Sequence, residues 1–408
     1  MTSQVKGWCP SLLRPMQAAD GWLLRLKPSC ALLPAAKAKQ VAKLADGLGN
    51  GQMELTQRAG LQLRGFPEGD LEAAAERILT LGLGEEDGAA EARRNIVVSP
   101  LLGFDKTIKH DTQSIVQKIE SGLRDDAELA QLPDKFGFVV DGGGLLPLDG
   151  IAADIVLRCA EQRLEIGTRY AIALGSLDAA EPALALAKGF LRLNRGRFRR
   201  LRVLLQEDGI AALLKEAGLD APYETLQAER AERPAPGFHD QESGTSGALL
   251  AYWPFGSLDA DALTQAADLS ERYGDGCLRL TPWRALAIAD VTGGEAPELA
   301  SGLRTAGALV DRSNPLLRIE ACPGQGACTE ATVDTRSLAR RLAQQLPAEG
   351  ARLHVSGCSK GCAHPGSAAL TLVGDQSRWS LVRKGHANSK AYAKNLTDRQ
   401  VLDRTRNA

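Results

Sequence analysis

A strand–helix–strand phrase occurs twice in this 408-residue chain and narrows the possible folds more than any other feature. In the first copy, Trp22 to Leu26 is an apolar run that reaches Pro28 and reads as a strand. Pro34 to Leu48 interleaves alanine and leucine with lysine, the pattern of a helix with one buried face. Gly49-Asn50-Gly51 stops it with residues that tolerate positive φ. Met53 to Thr56 and Leu61 to Arg64 then alternate as strands. The second copy runs Leu249 to Pro254, Ala260 to Tyr273, Gly274-Asp275-Gly276, Cys277 to Thr281 and Ala285 to Ile288. A repeat of such long period points to duplication of a half-protein. A weaker echo follows each copy, Arg94 to Pro100 and Arg318 to Pro323.

Only the second echo carries cysteine. Cys322 and Cys328 form a C-x5-C clip, and Cys358 and Cys362 a C-x3-C clip; together they are four of the eight cysteines. Four thiolates suffice for one 4Fe–4S cluster. Gly324, Gly326, Ala327, Gly357, Gly361 and Ala363 leave room for backbone N–H groups to turn toward sulfur. Structural zinc is the competing reading, although its clips usually hold two to four intervening residues. Two disulfides fit poorly with a chain that shows no secretory layout. Cys9, Cys30, Cys159 and Cys277 have no metal-ligand spacing and read as core residues.

The net charge of −1 gives no reason to expect nucleic acid or an anionic membrane as partner. No apolar run is long enough to cross a bilayer, and Met1 to Pro10 lacks the basic-then-apolar order of a signal peptide. A reducing cytoplasm is the expected location, where thiolates stay available for iron. Between the copies, Ile166 to Glu224 reads helical, most strongly from Ala179 to Leu193. Arg195 to Arg202 is a basic run, read as a solvated helix start or turn, with electron-donor docking as the sharper alternative. Residues 228–246 read as an exposed linker and the polar tail from Asn388 as peripheral.

With the clips confined to the second of two copies, the chain resembles the nitrite/sulfite reductase superfamily. Within it, the chain is similar to the precorrin-3B synthases of aerobic cobalamin biosynthesis. The carriers are Cys9-Pro10-Ser11, Pro15-Met16-Gln17, Asp20-Gly21, Gly49-Asn50-Gly51, Leu55 to Arg58 and Leu61 to Gly65. Further on they are Arg94-Asn95-Ile96, Phe138 to Gly144, Thr281 to Arg284 and both clips, so the likeness spans about residues 8–385. It implies an α+β fold: a ferredoxin-like sheet domain from the two repeats, plus two pseudo-symmetric α/β domains. The expected boundaries are 8–68 for the first half, 90–226 for the α/β domain without clips, 227–246 for the linker, 247–292 for the second half and 316–400 for the cluster domain. The active cleft is expected where the parts meet, with the cluster at its edge.

The resemblance also implies cofactors and substrates. Cys322, Cys328, Cys358 and Cys362 match the cluster ligands. A mononuclear non-haem iron is implied as well, with no ligands assignable: His110, His239, His354, His364 and His386 include no pair at helical ligand spacing. Sirohaem reductases hold their small anion with two arginines and two lysines. Arg58, Arg94 and Lys135 match three of these, and Gly137 stands where the second lysine is expected. A tetrapyrrole edged with carboxylates calls for cations, and Arg58, Arg64, Arg94, Lys135, Arg284 and Lys360 are the candidates. The implied reaction is C20 hydroxylation of precorrin-3A by dioxygen, with a ring-A acetate closing to a γ-lactone. Its electrons would come from an NADH-linked reductase or a ferredoxin- or flavodoxin-like donor. The alternatives are a sirohaem-dependent sulfite or nitrite reductase and a non-catalytic electron-transfer subunit. Bland readings stand beside these. Arg58 and Arg64 would share one solvated face of an unbroken strand, Trp283 reads as core, and Gly142-Gly143-Gly144 reads as a loop before an anion nest.

Overall fold

The computed structural model describes residues 10–175, 178–227, 232–241, 246–347 and 350–406. Cys9 and the first residues lie outside the described residues, as do 228–231 and 242–245 of the segment read as a linker.

The two copies fold alike. Helices Ala35–Leu48 and Ala260–Tyr273 begin 225 residues apart, as do strands Gln52–Leu55 and Cys277–Leu280 and helices Leu71–Thr80 and Ala296–Thr305. Each copy builds a five-stranded sheet, so the domain made by the two repeats holds two sheets. The strand before each long helix does not stay with its own copy. Leu32–Pro34 pairs with Cys277–Leu280 in the second sheet, and Ser257–Asp259 pairs with Gln52–Leu55 in the first. Each crossing is made at a kinked turn with a non-glycine residue at positive φ, Cys30 at 52° and Phe255 at 62°.

The two long helices pack through small side chains. Ala38, Val41, Ala42 and Ala45 share one core with Ala262, Leu263, Ala266 and Ala267, at the spacing that puts them on one face of each helix. The second sheet is buried on both sides. Along Gly247–Tyr252, Leu249 and Ala251 join that helical core, while Ala248, Leu250 and Tyr252 join another core on the opposite face.

That other core belongs mainly to a six-stranded sheet. Its strands Ile96–Val98, Phe138–Asp141 and Ile155–Arg158 are parallel, and Arg163–Ile166, Tyr170–Ala173 and Tyr223–Thr225 follow antiparallel. The five-stranded sheet after the second copy has the same pairing sense. Ile319–Ala321, Leu353–Ser356 and Ala368–Asp375 are parallel, then Arg378–Gly385 and Ala393–Leu396 antiparallel. Among the described residues no helix is long and apolar enough to cross a membrane.

Three local expectations change. The stretch read as helical from Ile166 contains strands Tyr170–Ala173 and Tyr223–Thr225, because sheet pairing overrides a weak helical period. Part of the expected linker, Gly237–Asp240, is an edge strand on Gly247–Tyr252. The tail is not peripheral: helix Asp398–Thr405 begins in a Thr397–Gln400 capping box, buries Val401 and receives the Trp379 indole N–H at Asp398, 2.8 Å away.

Candidate active site

A cleft of about 540 Å³ opens where the first copy, the six-stranded sheet and the cysteine-bearing sheet meet. Arg58 reaches it from the turn between Gln52–Leu55 and Leu61–Phe66, not from a strand, so the shared-face reading with Arg64 does not apply. Trp283 and Arg284 line it from the turn before Ala285–Val291, and His364 from just past the last cysteine. Arg284 holds φ +61°, a costly conformation for a non-glycine residue that aims its side chain across the gap.

The cleft wall is strongly cationic. Glu320 is clamped between Arg233 at 3.3 Å and Arg284 at 3.5 Å. Burial and the like charge of Arg233 lower the pKa of the Arg352 guanidinium, which an incoming carboxylate would relieve. Arg200 donates to Asp154 at 2.9 Å and to the Lys135 carbonyl at 2.5 Å, and Arg58 donates to that same carbonyl at 3.4 Å. Lys135 thus offers its carbonyl to these arginines, and the residue lines a separate cavity with Arg14, Arg195 and Arg199. Gly137 does line the cleft, and a Cβ there would lie 3.5 Å from its nearest neighbour, so crowding does not exclude a side chain.

The other candidates are engaged elsewhere. Arg94 pairs with Glu85 at 3.3 Å, donates to the Lys27 carbonyl and borders a narrow pocket beside Cys30. Arg64 is buried in ion pairs with Asp20 and Glu54. Lys360 lies beside the clips and pairs with Glu330 at 3.4 Å. In the glycine triplet the Gly142 N–H donates to Ser99 Oγ and the Gly143 N–H to Asp141, so two of its donors serve the loop itself.

Parallel pairing brings the two clips together. Ile319–Ala321 and Leu353–Ser356 run side by side, so Cys322 and Cys358 emerge at the same sheet edge. The Gly357 N–H donates to Cys322 Sγ at 3.1 Å, and a Cβ at Gly357 would strike Ala331 at 2.5 Å. Loss of hydration and the charges of Cys328 and Cys322 raise the Cys358 pKa. Cys362 is raised by loss of hydration and then by Cys358, Cys322 and Cys328, so all four sulfurs share one neighbourhood. Among the described residues, no three His, Cys, Asp or Glu converge on a single metal ion. The implied mononuclear iron is thus left without a matching donor set among the described residues. A 4Fe–4S cluster, with one iron per thiolate, needs four sulfurs around a shared space, which this donor set fits.

Behind the cleft, His354 is fully buried with neither ring nitrogen hydrogen-bonded, and its ring centroid lies 5.7 Å from that of His364. Burial, then His364, lowers its pKa to about 4. Sequence reasoning missed Arg233 and Arg352, gave no role to His354 or Glu320, and noticed Arg200 only as part of a basic run. They come from separate segments, and no spacing links them; the parallel register of Glu320 with His354 is visible only in the fold.

The family model for the nitrite/sulfite reductase ferredoxin-like half domain matches twice, at residues 14–81 and 239–306, offset like the two copies. A precorrin-3B synthase from Sinorhizobium is 30% identical over 95% of this chain and 85% of its own length. A ferredoxin–nitrite reductase from Synechococcus elongatus is 27% identical over 91% of this chain and 79% of its own. Among solved structures, the Mycobacterium tuberculosis NirA protein shares the fold over 94% of this chain and 79% of its own, with TM-score 0.71 at 19% identity.

Proposed function

We propose that this chain, which belongs to the nitrite/sulfite reductase ferredoxin-like family, converts precorrin-3A to precorrin-3B. In that reaction one atom of dioxygen enters the macrocycle at C20 and the other leaves as water, with two electrons and two protons consumed. The observation that carries this reading is the anion set of the cleft. Of the four cation positions of a sulfite or nitrite site, only Arg58 and Gly137 open on the cleft, and Gly137 has no charge. Reduction of a small oxyanion needs several donors converging on one point. Here the arginines are spread around the walls, an arrangement suited to the separate carboxylates of a large ring.

Cys322, Cys328, Cys358 and Cys362 would hold a 4Fe–4S cluster, which supplies electrons one at a time when bound. The chain's own residues do the placing. Arg58, Arg200, Arg284 and Arg352 would take the ring's acetates and propionates, while Trp283 is a core residue at the edge of the cleft. No step is assigned to a mononuclear iron, because the described residues offer no donor set for one.

A second reading, a sirohaem-dependent nitrite or sulfite reductase, draws support from the nitrite reductases among the relatives. Anaerobically purified protein separates the two. The synthase reading expects an iron–sulfur shoulder without sirohaem bands, and one labelled oxygen atom in the product when precorrin-3A and labelled dioxygen are added. Haem-type bands in the protein as isolated, perturbed by nitrite or sulfite, would overturn it.

A further inference from the structure

Arg64 belongs to the copy without the clips, yet its guanidinium touches the first clip. Nη2 donates to the Ala327 carbonyl at 2.7 Å, one residue before Cys328. Nε and Nη2 grip Asp20 with two bonds of 2.9 Å, and Nη1 donates to Glu54 at 3.1 Å. Two glycines permit this. A Cβ at Gly21 would strike the Gly65 backbone at 2.7 Å, and Gly65, at φ +78°, has Asn50 against it. Asp20 and Arg64, the residues just before them, are thereby brought face to face. Glu54 is held in turn by Arg336, which also donates to Ser257 of the exchanged strand at 3.1 Å. Arg64 is only 4% exposed, so it is a poor partner for a substrate carboxylate and a well-fixed donor to the clip.

We infer that Arg64 is a positioning residue for the C-x5-C clip. Through Ala327 it fixes the loop that presents Cys328, and so sets how firmly the cluster is held and at what potential it exchanges electrons. The inference rests on the cluster reading above. Hydrogen bonds that hold a metal ligand's surroundings in place are commonly worth roughly 10- to 100-fold in metal affinity.

The test uses the whole chain purified without oxygen. Iron and acid-labile sulfide per chain, the EPR spectrum of the reduced protein, the midpoint potential and the rate of iron release to a chelator are measured. Arg64→Lys, which keeps charge but loses the fork, is expected to release iron about tenfold faster, with a shifted EPR signal and midpoint. Arg336→Met loosens Glu54 but leaves the Arg64–Ala327 contact, and is expected to match the parent in all four. An Arg64→Lys protein indistinguishable from the parent would overturn the inference, as would Arg336→Met reproducing its effects. If Arg64→Lys does not fold, Asp20→Asn takes its place: it keeps the guanidinium and removes the carboxylate that aims it. Parent-like iron release and midpoint from Asp20→Asn would likewise overturn the inference. A parent protein with no iron or sulfide would instead sink the cluster reading itself, and Cys328→Ser marks that baseline.

Discussion

Arg284 joins two parts of the site. It faces the cleft, pairs with Glu320 and donates to the Ala363 carbonyl at 3.3 Å, directly after Cys362. On the proposed function, Arg284→Ala should weaken precorrin-3A binding roughly 10- to 100-fold, the cost of one charge-assisted contact. Absorbance titration with precorrin-3A reads it. Unchanged affinity would remove Arg284 from the substrate site. At this scale the sequence was only partly readable. Arg58 and Arg284 line the cleft, but Arg64 and Arg94 sit in motifs just as well marked and are turned away from it toward acids. A motif fixes where a residue stands along the chain; which way its side chain turns depends on acids such as Asp20 and Glu85 that lie elsewhere.

At the scale of elements, the strands that change sheets matter most. Leu33 is fully buried in the strand that the first copy lends to the second sheet, opposite Leu278. Leu33→Ala should therefore cost about 2–5 kcal/mol, like other large-to-small core changes. Urea unfolding checks it, and a loss below about 1 kcal/mol would mean that the lent strand contributes little. The repeat itself was legible because helix period, glycine stops and strand alternation recur in the same order. The exchange was not legible. Leu32–Pro34 and Ser257–Asp259 are three-residue strands, too short to carry a pattern, and their partners are set by the packing of the two long helices.

For the whole molecule, pH is the informative variable. An unfolded His354 takes up a proton near the ordinary value of 6.5, while the buried one resists until about 4. Stability from this residue is thus complete above pH 6.5 and is lost as pH falls toward 4, with a slope of up to about 1.4 kcal/mol per pH unit. Glu54 acts in a lower window. Burial opposes its ionisation, but Arg336 and Arg64 outweigh that and hold it below the usual carboxylate range. Its contribution is lost only as pH falls through that depressed value. His354→Leu should therefore flatten the urea midpoint between pH 6.5 and 5 while leaving the more acidic decline in place. An unaltered profile would show that His354 is hydrated or paired in solution.

The traded strands also bear on ancestry. A gene encoding one repeat alone would specify a sheet with a gap at one edge and a strand with nowhere to lie. Two such products complete each other only by meeting, which makes the ancestral unit a concentration-dependent pair. Joining two copies in one chain makes that encounter intramolecular, so each lent strand finds its sheet at any protein concentration. Neither can now be inherited without the other: a chimera that takes one repeat from a distant relative must match its host at both borrowed edges.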